Sequence, residues 1–526
     1  MRLAAAAGAV ALLTSACAGG ADTPGGGATG GAAGASTAQI VVDTTFDIKT
    51  VDPGREYEPT GQILVKALYD TLLTFADNDT TTVIPDLASY ESNADQTEFT
   101  FTMAQGRVFS DGAAVTAADA VFSLQRLQGL KGNPSFLLDG VTVSQVDDMT
   151  LKLVTAEPSP ALPAILATPS CGILNSKVVL ENGGSTDESD QAEQFLNTTS
   201  AGSGPYTLDK LDTASEAILV KNPKYNGWQT PAYETVILRN TEPATQKMNV
   251  ERGDSQVALG LSGDMIDSLA EGVKVESVPS ATVVFLLINS DAAASPVTAK
   301  PEFVKAVKAA LDYDSLLEIA GRGAAQASGL VPSVFLGALD ASEALKHDAA
   351  AAAAAAEAAG VAGQKLTLSF PNDIDPTGLN LTTLAERVQA QLQAVGIEVD
   401  LAPAPFATEV DAYRDGKEQI GLWYWNPDYM DPANYLAFGP GQTVGLRAGW
   451  QAGANSAIEE LVGKGYTTGD LAERKAIFEQ WGRAMNADGP FVPLIQPGSN
   501  VVYQPTVTGV YYNPVWLINV SGLSPA

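Results

Sequence analysis

The run EQIGLWYWNPDYMDPANY, residues 418–435, constrains this chain more than any other stretch. Pro427 and Pro432 forbid a helix through it, because each lacks a backbone N–H and restricts the residue before it. The pattern predicts a strand over 419–425 that opens into a rigid loop. Three rings crowd Trp423, Tyr424 and Trp425, and carboxylates follow at Asp428 and Asp431. On a strand, Trp423 and Trp425 share one face and Tyr424 takes the other, so the three cannot all line one surface. Rings beside a carboxylate that can hold an ammonium group suit the wall of a ligand pocket. A core strand followed by a Pro-Asp turn accounts for the same residues.

At 526 residues the chain exceeds what one core holds, so two or three subdomains are expected. Its net charge of −31 argues against nucleic acid or an anionic lipid surface as partner. The opening MRLAAAAGAVALLTSAC, residues 1–17, is a short apolar run with Arg2 as its only charge and small residues at its end. That is the form of a secretory signal peptide. Leu13-Thr14-Ser15-Ala16-Cys17 resembles a bacterial lipobox, with Thr14 where leucine is usual, and makes Cys17 the expected lipid acceptor. The Gly/Ala-rich segment 18–36 reads as a flexible tether. A lipid on Cys17 leaves Cys171 without a disulfide partner, to be buried as a small hydrophobe. No other run reaches the ~18 apolar residues of a membrane span. The expectation is an exported protein held on the outer face of the cell membrane by its lipid alone.

Apolar spacing predicts a helix over 61–75, through Ile63, Leu64, Leu68 and Leu72. Glu98–Thr102 alternates as a half-buried strand, and Thr116 caps a helix through Val121 and Leu124. Asp348 and Gly360 bracket an alanine run that reads as a surface helix, since alanine supplies propensity but little area. Leu384, Val388, Leu392 and Val395 form a helical stripe stopped by Gly396, and Ile397, Val399 and Leu401 alternate after it. Helix, glycine, strand is a unit of a layered α/β domain. A final helix over 471–485 and a strand over 491–495 complete the pattern. Gly202, Gly204 and Pro205 read as devices that let a strand turn between lobes.

VDPG, ALYDTLLTF, VIPDLASYE, TEFTFTMAQGRVFSDGAAVTAADAVFSLQRL, SAGSGPYTL and VKNPKYNGW follow one another over residues 51–228. Their order and spacing resemble the peptide/nickel-type extracellular solute-binding proteins of ABC importers, family 5. In the second half Ala310-Leu311-Asp312-Tyr313 and Trp425-Asn426-Pro427-Asp428-Tyr429-Met430-Asp431-Pro432 resemble that family's phrases. The resemblance implies an α/β, two-lobed periplasmic-binding-protein-like fold with a hinge and an extra third subdomain, of the cluster C type. It places lobe I at 37–73, 200–285 and 493–526, the extra subdomain at 74–199, and lobe II at 286–492. It implies a monomer that captures a short peptide and delivers it to permease subunits of an ABC importer.

By the same resemblance, Asp428 falls where a carboxylate takes a peptide's α-ammonium; capping its own turn is the other role open to it. Trp425 is a lid or floor for the ligand, or core packing, and Trp423 shares its face. Tyr57 faces the cleft, and Ser262 sits where a crossover segment touches ligand. A peptide carboxylate calls for a guanidinium, and Arg447 and Arg322 are the loop candidates. A non-peptide solute (an oligosaccharide, an opine or a chelated metal) fits the same frame, and a surface lipoprotein that senses or scavenges without transport is a reading of another class.

Enzyme chemistry finds little footing. The single histidine, His347, lies between Lys346 and Asp348 before the alanine run, and no GxSxG, HExxH or P-loop pattern occurs. Asp428 and Asp431 stand in a proline-fenced turn, where aspartate is ordinarily a turn former. With one imidazole a bare-metal site is not expected, and no cofactor is implied.

Overall fold

Val283–Ile288, VVFLLI, is apolar at every position, and all six residues are buried. A strand can bury both faces only between two layers. Val283, Phe285 and Leu287 enter one core, and Val284, Leu286 and Ile288 enter another. A computed structural model describes residues 39–77 and 79–526 and places this strand centrally in a six-stranded sheet. It pairs antiparallel with Ile420–Trp425 on one side and Phe491–Gln496 on the other. Leu366–Pro371 and Val399–Ala404 extend the sheet in parallel, joined through the helix Leu381–Ala394. Leu384, Val388 and Leu392 of that helix are buried, and Gly396 leaves it at φ +83°, as the stripe and its glycine predict.

A seven-stranded sheet carries the other half of the molecule, with Gln39–Thr44 near its middle. Tyr206–Asp212, Glu216–Lys221 and Thr235–Asn240 lie to one side, and Val257–Ala258, Gly498–Tyr503 and Lys274–Pro279 to the other. A four-stranded antiparallel sheet, Ala88–Ser92, Glu98–Met103, Thr150–Thr155 and Val141–Asp147, forms a third layer with the helix Ala117–Gly129. Thr116 and Asp119 make the expected cap reciprocal: the Thr116 side chain accepts from the Asp119 backbone N–H, and the Thr116 N–H donates to the Asp119 carboxylate at 3.0 Å.

The chain passes between the two large sheets twice. It leaves the seven-stranded sheet at Pro279 and re-enters at Gly498. The crossings run side by side: Ser280 N–H donates to Pro497 O at 2.9 Å, and Gln496 Nε2 to Ser280 O at 2.6 Å.

Two expectations change. The helix predicted over 61–75 is Pro59–Leu68, and Leu73–Ala76 departs as a strand. Its last carbonyl, on Leu68, accepts from Gly204 N–H at 3.1 Å instead of continuing the helix. Gly202 and Gly204 therefore serve close approach, not a turn between lobes: a Cβ on either would lie 2.2–2.5 Å from Leu68 backbone atoms. The alanine helix, Ala349–Ala359, is capped as expected by Asp348 and by Gly360 at φ +74°. It lies on the surface as expected, with most of its residues exposed, and packs by one face: Ala352, Ala356 and Ala359 are buried in the second core with Ala306 and Ala310, because small side chains let two helices approach closely. Cys171 is buried, and burial pushes its thiol up to about 12. Cys17 and the expected signal and tether lie outside the described residues. No described helix is long and apolar enough to cross a membrane.

Candidate ligand-binding cleft

The strand Ile420–Trp425 carries the chain to the gap between the two large sheets, and Pro427 turns it there. Its alternation holds: Trp423 and Trp425 pack in the first core and Tyr424 against the second. The following loop separates its two carboxylates. Asp431 caps the 3-10 helix Pro432–Phe438 and is gripped by Arg474 through its two terminal guanidinium nitrogens, at 2.5 and 2.6 Å, out of solvent. It is structural.

Asp428 instead lines a cleft of about 520 Å³. One of its oxygens accepts from Asn434 Nδ2 at 2.8 Å, and Asn434 Oδ1 in turn accepts from Trp425 Nε1 at 2.7 Å. The other accepts from the hydroxyl of Tyr57, which comes from the opposite half of the molecule. Burial, and then the Asp428 charge, push the Tyr57 phenol far above its ordinary value near 10, so it stays a neutral donor. Trp425 thus orients the site from behind, while Tyr424, Asn426, Thr282, Thr377 and Tyr512 share the lining. Gln62, Thr168 and Ser170 close the other side. Tyr424 and Asn426 lie inside the run that the sequence singles out; sequence reasoning missed the others, since they converge from separate segments. The Tyr57–Asp428 bond ties the halves together across the cleft. Tyr57→Phe is expected to loosen the ligand-free protein toward a wider form, seen as a larger radius of gyration by small-angle scattering. An unchanged radius would contradict that role.

Residues 82–443 match the model of the bacterial extracellular solute-binding proteins, family 5 Middle. The chain belongs to that family. Over 488 residues it is 27% identical to the probable D,D-dipeptide-binding periplasmic protein DdpA of Escherichia coli strain K12, covering 90% of this chain and 92% of that one. Its fold is similar to that of the ABC transporter substrate-binding protein CtaP of Listeria monocytogenes, with a TM-score of 0.79 at 20% identity over 93% of this chain and 99% of that one. DppA of Helicobacter pylori, solved in complex with the peptide STSA, matches with a TM-score of 0.72 at 20% identity, over 93% and 98% of the two chains. Family 5 proteins are extracellular solute-binding proteins, not enzymes, and the two halves described above are their two lobes.

In this family 5 member the remaining expected residues scatter. Ser262 lines a smaller pocket of about 230 Å³ beside the cleft, and Thr377, Tyr512 and Leu517 border both. The Arg447 guanidinium lies 4.6 Å from the Tyr413 ring and 5.9 Å from that of Trp425, behind the cleft and outside its lining. Arg322 is exposed and also outside the lining; its carbonyl accepts from Asn500 Nδ2 at 3.4 Å. Trp423 is buried, stacked on Tyr413 with centroids 4.2 Å apart, and donates from Nε1 to Glu418 at 2.8 Å.

Burial pushes the Glu418 carboxyl up to about 9, and hydrogen bonding with Glu409 adds to the shift. A raised carboxyl supports the fold fully below its unfolded pKa, ordinarily about 4.5, and loses that contribution as pH rises through the folded value. Glu418→Gln cannot titrate, so its stability relative to the parent is expected to climb between those limits, by at most about 1.4 kcal/mol per pH unit. Melting temperatures of both proteins measured across that range test this, and parallel profiles would defeat it.

Proposed function

We propose that this protein is the extracellular substrate-binding component of an ABC importer that captures a short peptide between its lobes, with the peptide's α-ammonium on Asp428. The observation that carries the reading is the placement of that carboxylate: in the cleft, preorganised by Asn434, and bonded to the other lobe through Tyr57. An ammonium there completes a charge-assisted bond in a space that closure dries, which strengthens it. The names of the similar proteins support peptide as the cargo. Closure needs only that ligand bind the closed form better than the open one, and the permease subunits then receive the closed form.

In this reading the lobes rotate about the paired crossings at 280–282 and 497. Because the strands Val283–Ile288 and Phe491–Gln496 lie wholly in the six-stranded sheet, the bounds expected at 285 and 493 move to those crossings: lobe I comprises 37–73, 200–282 and 497–526, the extra subdomain 74–199, and lobe II 283–496. The protein works as a monomer, held to the membrane by a lipid on Cys17. Incorporation of labelled palmitate that persists in Cys17→Ser would remove the anchor from the proposal.

Calorimetry with a dipeptide and its N-acetylated counterpart tests the central claim. The free amine should bind at least about tenfold tighter, the equivalent of one charge-assisted hydrogen bond. Equal affinity for the two would overturn it.

A further inference from the structure

A smaller compartment of about 230 Å³ opens off the cleft beside the paired crossings, and Thr377, Tyr512 and Leu517 form the border between the two. Lobe I supplies most of its wall. Leu259, Tyr512 and Leu517 pack by one side on the lobe I core yet stay only half-buried, and all three line the compartment. Among the described residues no acidic or basic one lines it. Two of its polar side chains are engaged with other protein groups. Asn500 Oδ1 accepts from the Ser277 hydroxyl at 2.6 Å and its Nδ2 donates to Arg322 O at 3.4 Å, while the Thr377 hydroxyl donates to Pro376 O at 2.8 Å. Half-exposed apolar side chains around a neutral hollow suit an apolar group, because covering them takes that surface out of water.

Lobe II completes the compartment with the turn Pro376–Gly378, through Thr377 and Gly378. Gly378, at φ +83°, comes so near lobe I that a Cβ on it would lie 2.4 Å from Ser262 Oγ. Two border residues, one from each lobe, hold left-handed backbone: Thr377 at φ +50° and Leu517 at φ +56°. Branched and bulky residues seldom adopt that conformation, and such strain gathers at ligand clamps. The compartment is whole only while the lobes are together, so a group that fills it favours the closed form. Its size selects the group. A cavity of about 150 Å³ holds benzene, so one of about 230 Å³ admits a phenyl ring or a branched aliphatic side chain.

From the shared border, the neutral walls and the volume we infer that this compartment is a side-chain subsite, and that the cargo is a short peptide carrying one large apolar side chain, of phenylalanine or leucine size. The inference rests on the proposed reading of the cleft as a peptide site. Calorimetry on the purified protein with Ala-Ala, Phe-Ala and Ala-Phe separates the two. One of the phenylalanine dipeptides should bind about tenfold or more tighter than Ala-Ala, in line with burial of one such side chain, and with a more negative heat-capacity change. That ratio should fall toward one in Leu259→Trp, which fills the compartment. Leu259→Ala, which widens it, should instead move the preference from phenylalanine to tryptophan at the same position of the dipeptide. Phenylalanine dipeptides no tighter than Ala-Ala, with Ala-Ala bound, overturn the subsite and leave the peptide reading standing. A preference that survives unchanged in both variants overturns it as well. If no dipeptide binds, both readings fall.

Discussion

Arg126→Met is expected to destabilise the fold by about 3–5 kcal/mol, the usual consequence of removing one partner from a buried ion pair. Arg126 is fully buried on the helix Ala117–Gly129. It donates to both oxygens of Asp52, at 2.7 and 2.6 Å, and to both oxygens of Asp190, at 2.8 Å each. Methionine fills most of the volume but leaves two buried carboxylates facing one another. Arg55 covers part of the loss, since it reaches Asp190 at 3.2 Å and Asp52 at 3.4 Å, and this keeps the effect from being larger. The defect should also depend on pH. Burial alone would raise Asp190, but its hydrogen bonds from Arg126 and Ser185 hold it below its ordinary value near 3.8. A lowered carboxyl contributes stability above its unfolded pKa and loses it as pH falls through the folded one. The gap between parent and variant should therefore narrow in acid. Denaturant unfolding followed by circular dichroism at neutral and acid pH measures both effects; a change below about 1 kcal/mol, the range of exposed pairs, would rule the argument out.

The second large effect is on binding. Asp428→Asn should weaken a dipeptide by about 10–100-fold, the equivalent of roughly 1.5–3 kcal/mol for a hydrogen bond to a charged group. Both neighbours of this carboxylate, Tyr57 Oη and Asn434 Nδ2, act as donors. An asparagine offers only one acceptor, so its amide also points a donor at a donor, or forces the Tyr57 hydroxyl to turn. The melting temperature should move far less than in Arg126→Met, because Asp428 is only half-buried and no ion pair is broken. Calorimetric affinity within threefold of the parent, in a variant that is still folded, would show that the ammonium sits elsewhere.

The legible parts of this chain were those set by local periodicity and by short phrases. Leu384, Val388 and Leu392 announce their helix, Phe99 and Phe101 their strand, and the proline-fenced loop its place after Trp425. The helix over 61–75 was misread because Leu72 continues the spacing, while the contact that ends the helix comes from Gly204, far along the chain. At the site, Asp428 and Tyr57 could be picked out from family phrases and their order. Gln62 and Thr377 could not, since a glutamine in a helix and a threonine in a turn carry no periodic signal. Trp423 shows the limit of composition: a large ring next to a site residue met Tyr413 and Glu418 in the core, and nothing local distinguishes that outcome from a place in the cleft.

Because Ser280 and Pro497 touch, the six-stranded half enters and leaves the rest of the chain at a single doorway. It is in effect an insert whose two ends already meet, so the seven-stranded half can be sewn shut across the gap with a few residues.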